Sequence, residues 1–583
     1  MVNIRINGTP YTVEDGMTIM EAAYEAGVDI PHLCYLKDVN EIGACRLCCV
    51  EVEGENKLIP ACDNVVTEDM SIITNSPRVR QASRTNLELI MSRHDGTCTT
   101  CVRSGNCQLQ NLCIDFSLDV DLYEKHYAPE KKLQWKRDFP LIRDNNKCVK
   151  CMRCVQICDK VQSMKIWDTL GTGSHTRVGV FDGRSIHHTD CTLCGQCITH
   201  CPVGALRARD DTDRVIEAIS DPDIVTVFQI APAIRTAWGE PFGLIPRHAT
   251  VNRLCGCLKQ MGADYVFDTS FTADLTIMEE ANEFLVRLEK GDLEKYPMFT
   301  SCCPGWIRFI KKQFPELVPQ LSTSKSPQQM FGAVMKSYFA EKIGVDPSKI
   351  FTVSIMPCVA KKGECDMDSM KSAMGANDVD VVLTTREVTR LLKKEHIPAA
   401  RVADQPFDQL MAEYSGAGVI FGTTGGVMEA ALRTAYFKFM GENPPADLFE
   451  EVNGFSPREK YPWVEKEFEL KGQKLRIAVV NTLGHARAVC EAILREEVKY
   501  DFVEVMACPG GCSGGGGQPI NTEDEERAFS RGIYLHELDK EMELRFSHEN
   551  REVAKLYEDY LGHPLSERAE ELLHVEHSLE FNY

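Results

Sequence analysis

Twenty-six cysteines in 583 residues limit what this chain can fold into more than any other feature. Most fall within the first 201 residues, in runs spaced like metal ligands. Exported chains use such thiols for disulfides, but MVNIRINGTPYTVEDG has no basic stretch leading into an apolar one, so it does not read as a secretory signal. Inside a cell, cysteines at this density more often bind metal. A cytoplasmic location is expected. The charge balance narrows the class: 65 basic against 86 acidic residues leave a net −21, the wrong sign for a nucleic-acid surface. No run of about 18 apolar residues is present, so no membrane insertion is predicted. At roughly 150 residues per domain, the length suggests about four domains.

Residues 2–6 alternate as VNIRI, Asn7-Gly8 supplies a turn and YTV resumes the strand, which predicts a hairpin. Thr18, with Glu21 three residues on, forms a capping box for a helix that Gly27 can end. Cys34, Cys45, Cys48 and Cys62 lie within HLCYL, GACRLCCVEVEG and PACD. They supply the four thiolates, two per iron, of a [2Fe–2S] cluster. Cys49 competes with its neighbour, and the C-R-x-C spacing favours Cys48. A zinc site is the alternative. The segment looks like the complex-I type of [2Fe–2S] domain, which carries that spacing.

Ser76-Pro77 opens a helix with a good cap and a proline at its first position. It runs towards His94, followed by Cys98, Cys101 and Cys107. A lone histidine there would be a favourable cation at the helix end. Three cysteines at H-x3-C-x2-C-x5-C make it a ligand instead, as the spacing resembles the histidine-ligated [4Fe–4S] site of complex I and certain hydrogenases. Cys113 falls outside the pattern and reads as a packed thiol. Residues 148–158, CVKCMRCVQIC, and 191–201, CTLCGQCITHC, each repeat C-x2-C-x2-C-x3-C. In that bacterial ferredoxin pattern the fourth cysteine crosses to the other cluster. One set is Cys148, Cys151, Cys154 and Cys201; the other is Cys191, Cys194, Cys197 and Cys158. Four clusters describe a relay for single electrons, ending near residue 209.

Beyond Asp210 the cysteines thin out and strands alternate with helices, an α/β pattern of two lobes around a cleft. Buried strands are predicted at 224–230, 351–355, 379–384, 418–422, 476–480 and 502–506, and Ser326-Pro327 opens a helix. Three motifs stand out: TSCCPGW (300–306), MPCVAKKGE (356–364) and EVMACPGGCSGGGGQP (504–519). Several follow a strand directly, where α/β sheets place their sites. Cys303, Cys358, Cys508 and Cys512 give four thiolates, enough for one more [4Fe–4S] cluster. Glycines 510–511 and 514–517 are expected to let backbone approach a bulky inorganic group. Cys255, Cys257, Cys365 and Cys490 have no motif and read as buried thiols. On one helical face, Glu280 and Glu283 lie three apart, with Arg287 four beyond; by itself that is a solvated ion pair worth little.

Together the three motifs and the relay resemble the [FeFe]-hydrogenases over essentially the whole chain. The resemblance implies a multidomain α+β and α/β protein. It comprises a β-grasp [2Fe–2S] domain (1–78), a His/Cys3 [4Fe–4S] module (79–125), a two-cluster ferredoxin-like domain (126–209) and a two-lobed α/β H-cluster domain (210–583). It implies one [2Fe–2S] cluster, three accessory [4Fe–4S] clusters and the H-cluster, a cubane joined through a cysteine sulfur to a two-iron unit carrying CO, cyanide and a dithiolate. By position, Cys303, Cys358 and Cys508 hold the cubane and Cys512 also bridges. Cys302 matches the family's proton-carrying thiol, and Lys361 the lysine that pairs with cyanide. Ala231, Pro232, Ser326, Pro327, Gln328, Met356, Phe421 and Met506 fall where the family lines the two-iron pocket. Ala233 stands where some members have serine. The proton path implied runs from Cys302 through Glu280, Ser322 and Glu283 to Arg287 at the surface.

The implied reaction is reversible oxidation of H2 to protons and electrons. A molybdopterin-type large subunit has similar front modules but another domain where the three motifs stand. A hydrogenase-like iron–sulfur assembly protein would lack the two-iron unit, and retention of Cys302, Lys361, Met356 and the glutamate pair argues against it. The chain shows no nucleotide-binding motif, so electrons go to ferredoxin, or to an NAD(P)-linked flavoprotein and iron–sulfur subunits of a complex.

Overall fold

Local propensity and turn chemistry set the first elements. In the computed structural model, which describes residues 1–118, 135, 138–371, 375–445, 447–454, 461–470, 472–520 and 527–578, Val2–Ile6 and Thr9–Val13 pair antiparallel about Asn7-Gly8. Asn7 and Gly8 both take positive φ, as the turn requires. The Thr18–Glu21 capping box starts the helix Ile19–Glu25. These strands join a five-stranded sheet in the order Thr9–Val13, Val2–Ile6, Ser71–Ile73, Cys49–Val52, Ile59–Pro60. Ile4, Ile6, Ile19, Ala22, Val50 and Ile72 make the core beneath it. Ser76 caps the helix Pro77–Met91 by accepting from the Val79 amide.

Residues Met1–Val161, Lys165–His188 and His200–Arg207 form one compact unit. Gln162–Met164, Thr189–Thr199 and Ala208–Tyr583 form a second.

Two four-stranded sheets organise the second unit. One runs Tyr265–Asp268, Val225–Ile230, Ile350–Met356, Val381–Thr384, all parallel. The other runs Met298–Phe299, Phe502–Met506, Gln473–Asn481, Val464–Leu470, with only the last antiparallel. Parallel sheets are covered on both faces, and Phe502–Met506 is buried at every position. The helix Thr269–Lys290, capped by Asp268 and ended by Gly291 at φ 77°, is buried along most of its length.

Five of the six predicted strands are present; 418–422 is instead covered by the helix Gly416–Ile420. Its apolar run imitates a buried strand, but Ser415 caps it by accepting from the Gly418 amide. Gly418 lies so near the next helix that a Cβ there would sit 2.5 Å from the Ser270 carbonyl oxygen. Close helix approach, not strand pairing, explains its glycines. Among the described residues, no helix is long and apolar enough to cross a membrane.

Candidate active site

Strand ends from both sheets bring the motif loops of the second unit together: Met298–Phe299 and Phe502–Met506 are parallel neighbours in one, and Ile350–Met356 belongs to the other. Cys302 and Cys303 follow Met298–Phe299, Cys358 follows Ile350–Met356, and Cys508 and Cys512 follow Phe502–Met506. All five cysteines line one cavity holding about 760 Å³ of space outside protein atoms. Ala231, Pro232, Ala233, Pro327, Gln328, Met356, Phe421, Met506 and Lys361 complete its wall. Four convergent thiols, mostly apolar walls and one buried cation fit a bulky sulfur-ligated iron group. Ser326 is not part of that wall; its hydroxyl donates to Glu364 at 3.0 Å.

Glu364 is the residue that sequence reasoning missed. It closes the MPCVAKKGE motif one helical turn after Lys361, and that spacing was the available signal. Lys361 Nζ lies 3.0 Å from Glu364 Oε2 and donates to the Cys302 carbonyl oxygen at 3.1 Å. Gln328 Nε2 also reaches Glu364, at 3.0 Å. Burial opposes the lysine's charge, but Glu364 and then Cys358 outweigh it and raise its pKa. A fixed ammonium therefore faces the thiols.

The glycines of the 510–517 run divide between the cavity and the packing of the loops around it. Of the run, only Gly511 and Gly515 line the cavity. A Cβ on Gly515 or Gly517 would strike the Pro357 backbone at 2.2 or 2.8 Å, and one on Gly516 would meet the Cys194 carbonyl at 2.4 Å. These glycines pack backbone on backbone, locking the Cys508–Cys512 loop against the loops of Cys358 and Cys194. Gln196 Nε2 donates to the Gly514 carbonyl at 2.9 Å, and Arg308 Nε to that of Cys191 at 3.1 Å. Thus the loop bearing Cys191, Cys194 and Cys197 is built into the second unit, with Cys508 Sγ 3.8 Å from the Cys194 carbonyl oxygen.

Behind Cys302 lies a row of buried polar groups. Burial first, then Glu280 and Cys303, push the Cys302 thiol well above its ordinary range, so it keeps its proton. Burial, then Glu283, raises Glu280 to about 8, with Ser322 opposing. Ser322 Oγ donates to Glu283 Oε2 at 2.8 Å, and Arg287 Nη2 to Glu283 Oε1 at 2.6 Å. Arg287 is 17% and Glu283 9% exposed at the side chain, so this is a largely buried pair and not a solvated one.

In the first unit, Cys34 Sγ and Cys45 Sγ lie 3.4 Å apart, and the Cys48 thiol faces that of Cys62. The Cys62 thiol faces Cys34 as well, so all four thiols converge, as a four-thiolate cluster requires. His94, Cys98 and Cys107 line one cavity together with Cys113, which is half-buried and not fully packed away; Cys101 packs against Gly204. Cys148, Cys151, Cys154 and Cys201 line another. Cys158 Sγ accepts from the Ile166 amide at 3.3 Å. Buried arginines attend these thiols: Arg143 Nη2 is 3.5 Å from Cys148 Sγ, and Arg153 donates to the Tyr35 carbonyl at 2.8 Å. Cys255, Cys257, Cys365 and Cys490 are all buried.

Comparison with known proteins identifies the architecture. Residues 224–516 match the iron only hydrogenase large subunit, C-terminal domain, and 526–578 the iron hydrogenase small subunit. Ahead of them, 1–77 match a 2Fe-2S iron-sulfur cluster binding domain, 84–120 the NADH-ubiquinone oxidoreductase-G iron-sulfur binding region, and 140–207 the ferredoxin-like domain of NADH-quinone oxidoreductase subunit 3. The NADP-reducing hydrogenase subunit HndD of Solidesulfovibrio fructosivorans is 42% identical over 99% of this chain and 98% of its own. Iron hydrogenase 1 of Clostridium pasteurianum is 38% identical over 99% and 100%. Among solved structures, an apo [FeFe]-hydrogenase HydA1 variant from Chlamydomonas reinhardtii superposes with a TM-score of 0.55 at 41% identity, covering 63% of this chain and 98% of that one. The chain belongs to the iron-only, or [FeFe], hydrogenase family.

Proposed function

We propose that the chain is a hydrogenase catalytic subunit whose second unit interconverts H2 with protons and electrons. The observation that carries this reading is the single cavity where four thiols, Cys302 and the Lys361 ammonium meet, backed by the buried Glu280–Ser322–Glu283–Arg287 row. Cys303, Cys358 and Cys508 would hold a cubane, and Cys512 both the cubane and the two-iron unit. When bound, that unit supplies the site where H2 is cleaved or formed. The protein's own residues do the rest. Lys361, held by Glu364, presents its charge toward a cyanide ligand. Cys302, protonated and partly buried, exchanges a proton with the centre, and Glu280, Ser322 and Glu283 carry it outward to where Arg287 holds Glu283 at the outer end of the row. Met356, Phe421, Met506 and Pro327 keep bulk water from the centre.

In the same reading, Cys34, Cys45, Cys48 and Cys62 hold one [2Fe–2S] cluster in a β-grasp domain (1–78). Three accessory [4Fe–4S] clusters follow, one on His94, Cys98, Cys101 and Cys107 (79–125) and two in the ferredoxin-like domain (126–209), ahead of the catalytic domain (210–583). The Cys194–Cys508 contact supports electron entry to the catalytic cubane from the accessory cluster that includes Cys194. The NADP-reducing activity named for HndD supports an NAD(P)-linked partner, with ferredoxin as the other acceptor, in the cytoplasm. After maturation, infrared bands of bound CO and cyanide are expected, with iron near 20 per chain, about 2 for the [2Fe–2S] cluster, 4 per cubane and 2 more for the two-iron unit. Absence of those bands from fully matured protein overturns the reading.

A further inference from the structure

The carboxy-terminal residues matched to the hydrogenase small subunit end on the proton route. After the helix Glu567–Leu573, the chain runs beside the loop that carries Ser322. Lys325 N donates to the Leu573 carbonyl, and Val575 N to that of Thr323, both at 2.8 Å. Between these bonds, His574 reaches in with its side chain 7% exposed. His574 Nδ1 is 2.8 Å from Thr323 Oγ1, and Nε2 is 3.0 Å from Glu279 Oε2. Glu279, fully buried, is fixed in turn by the Tyr557 hydroxyl and by the Leu565 amide at 2.8 Å. The Thr323 amide then donates to both oxygens of Glu283 at 3.1 Å.

A carboxylate only accepts, so His574 Nε2 carries a proton toward Glu279, and in the neutral ring Nδ1 accepts from the Thr323 hydroxyl. Thr323 is thereby held from its hydroxyl and its carbonyl, both by the terminal segment, while its amide grips Glu283. We propose that His574 is a positioning residue for proton transfer: braced on Glu279, it holds Thr323 so that Glu283 stays aligned with Ser322 and Arg287. The inference rests on the proton route proposed above. It gives the small-subunit segment a part in turnover, beyond covering the core with Leu572 and Leu573.

Exchange of D2 with water protons reads the catalytic centre and its proton route without the electron relay. In the full, matured chain, His574→Ala is expected to keep the CO and cyanide bands and the iron content while exchange and H2 production fall together. The loss should approach about 10²-fold, the scale of misplacing a working group by about 1 Å. His574→Gln, able to donate to Glu279 and accept from Thr323, should recover most of the rate. Exchange unchanged in His574→Ala, or a glutamine variant as slow as alanine, overturns the proposal. If His574→Ala loses its bands, Thr323→Val decides in the same assay: parental exchange there is equally fatal. Glu280→Gln serves as the separate control. If it exchanges normally, the route itself is wrong; if it fails while His574→Ala does not, only the role of His574 falls.

Discussion

The two units differ in what they add to the fixed cation beside their sulfurs. In the first, permanent cations lie among the thiols: Arg143 is raised because Cys148, Cys154 and Cys201 outweigh the burial that opposes it. Arginine is always charged and has no proton to trade. In the second, beside the fixed Lys361 ammonium, stand Glu280, pushed up to about 8, and the Cys302 thiol, raised by burial. These hold protons that they can give up. An electron carrier needs a balanced, constant charge, whereas a site making or splitting H2 must also move protons. The difference teaches which buried polar groups are fittings and which are working parts.

The adjacent thiols Cys302 and Cys303 offer the largest break in that contrast. Cys302→Ala is expected to leave the centre assembled, with its infrared bands intact, and to lower turnover by about 10²–10⁴-fold or more, the range for a positioned acid–base group. Cys303→Ala should instead lose the cubane's spectral signature. Near-normal H2 production by fully loaded Cys302→Ala removes it from the proton route. In the relay, His94→Ala should abolish one cubane's paramagnetic signal, while His94→Cys keeps it at a lower potential, because thiolate adds negative charge. An unchanged spectrum in the alanine variant excludes His94 as a ligand.

Glu280 predicts a pH signature of smaller size. The folded state keeps this carboxyl protonated up to about 8, against an ordinary value of 4.5. As pH rises through about 8 the carboxyl ionises beside Glu283, so H2 production should lose a limb there. Stability moves with it: the raised pKa favours the fold fully below about 4.5, and that contribution is lost as pH climbs to about 8. Glu280→Gln, slow at every pH, should show no such limb in its residual rate and no such loss of stability. A parental rate profile flat through pH 9 contradicts the assignment.

How much of this was legible depended on distance along the chain. Most relay ligands are separated from the next by only two to five residues, so spacing proposed most of them, and a cap such as Thr18 or a turn such as Asn7-Gly8 is equally local. The catalytic thiols come from three loops spread over some two hundred residues, and sequence could join them only through family resemblance; the ends of strands from two sheets set them on one cavity. Gly416–Ile420 misled because a buried apolar run has no period to read. Glu364 and His574 escaped for a related reason. Their partners are a lysine one turn away and a threonine 251 residues away, and neither pairing carries a motif.

The smallest expected effect tests the relay side of the comparison. Arg143 Nη2 lies 3.5 Å from Cys148 Sγ and also donates to the Val178 carbonyl at 2.6 Å, while Arg143 Nε reaches Asn145. The guanidinium is thus held beside the thiols by neutral partners, and its charge is free to offset theirs. Arg143→Gln keeps a hydrogen-bond donor but removes the positive charge. Adding an electron to a cluster on Cys148, Cys151, Cys154 and Cys201 then becomes harder, so its potential should fall, on the order of 59 mV if the equilibrium changes tenfold for one electron. Arg143→Lys should restore most of it, since charge and not fork geometry is at issue. Catalytic infrared bands and D2 exchange should not move in either variant, because neither touches the second unit's proton carriers. A potential unchanged in Arg143→Gln, with the cluster present, shows that the arginine is there for packing alone.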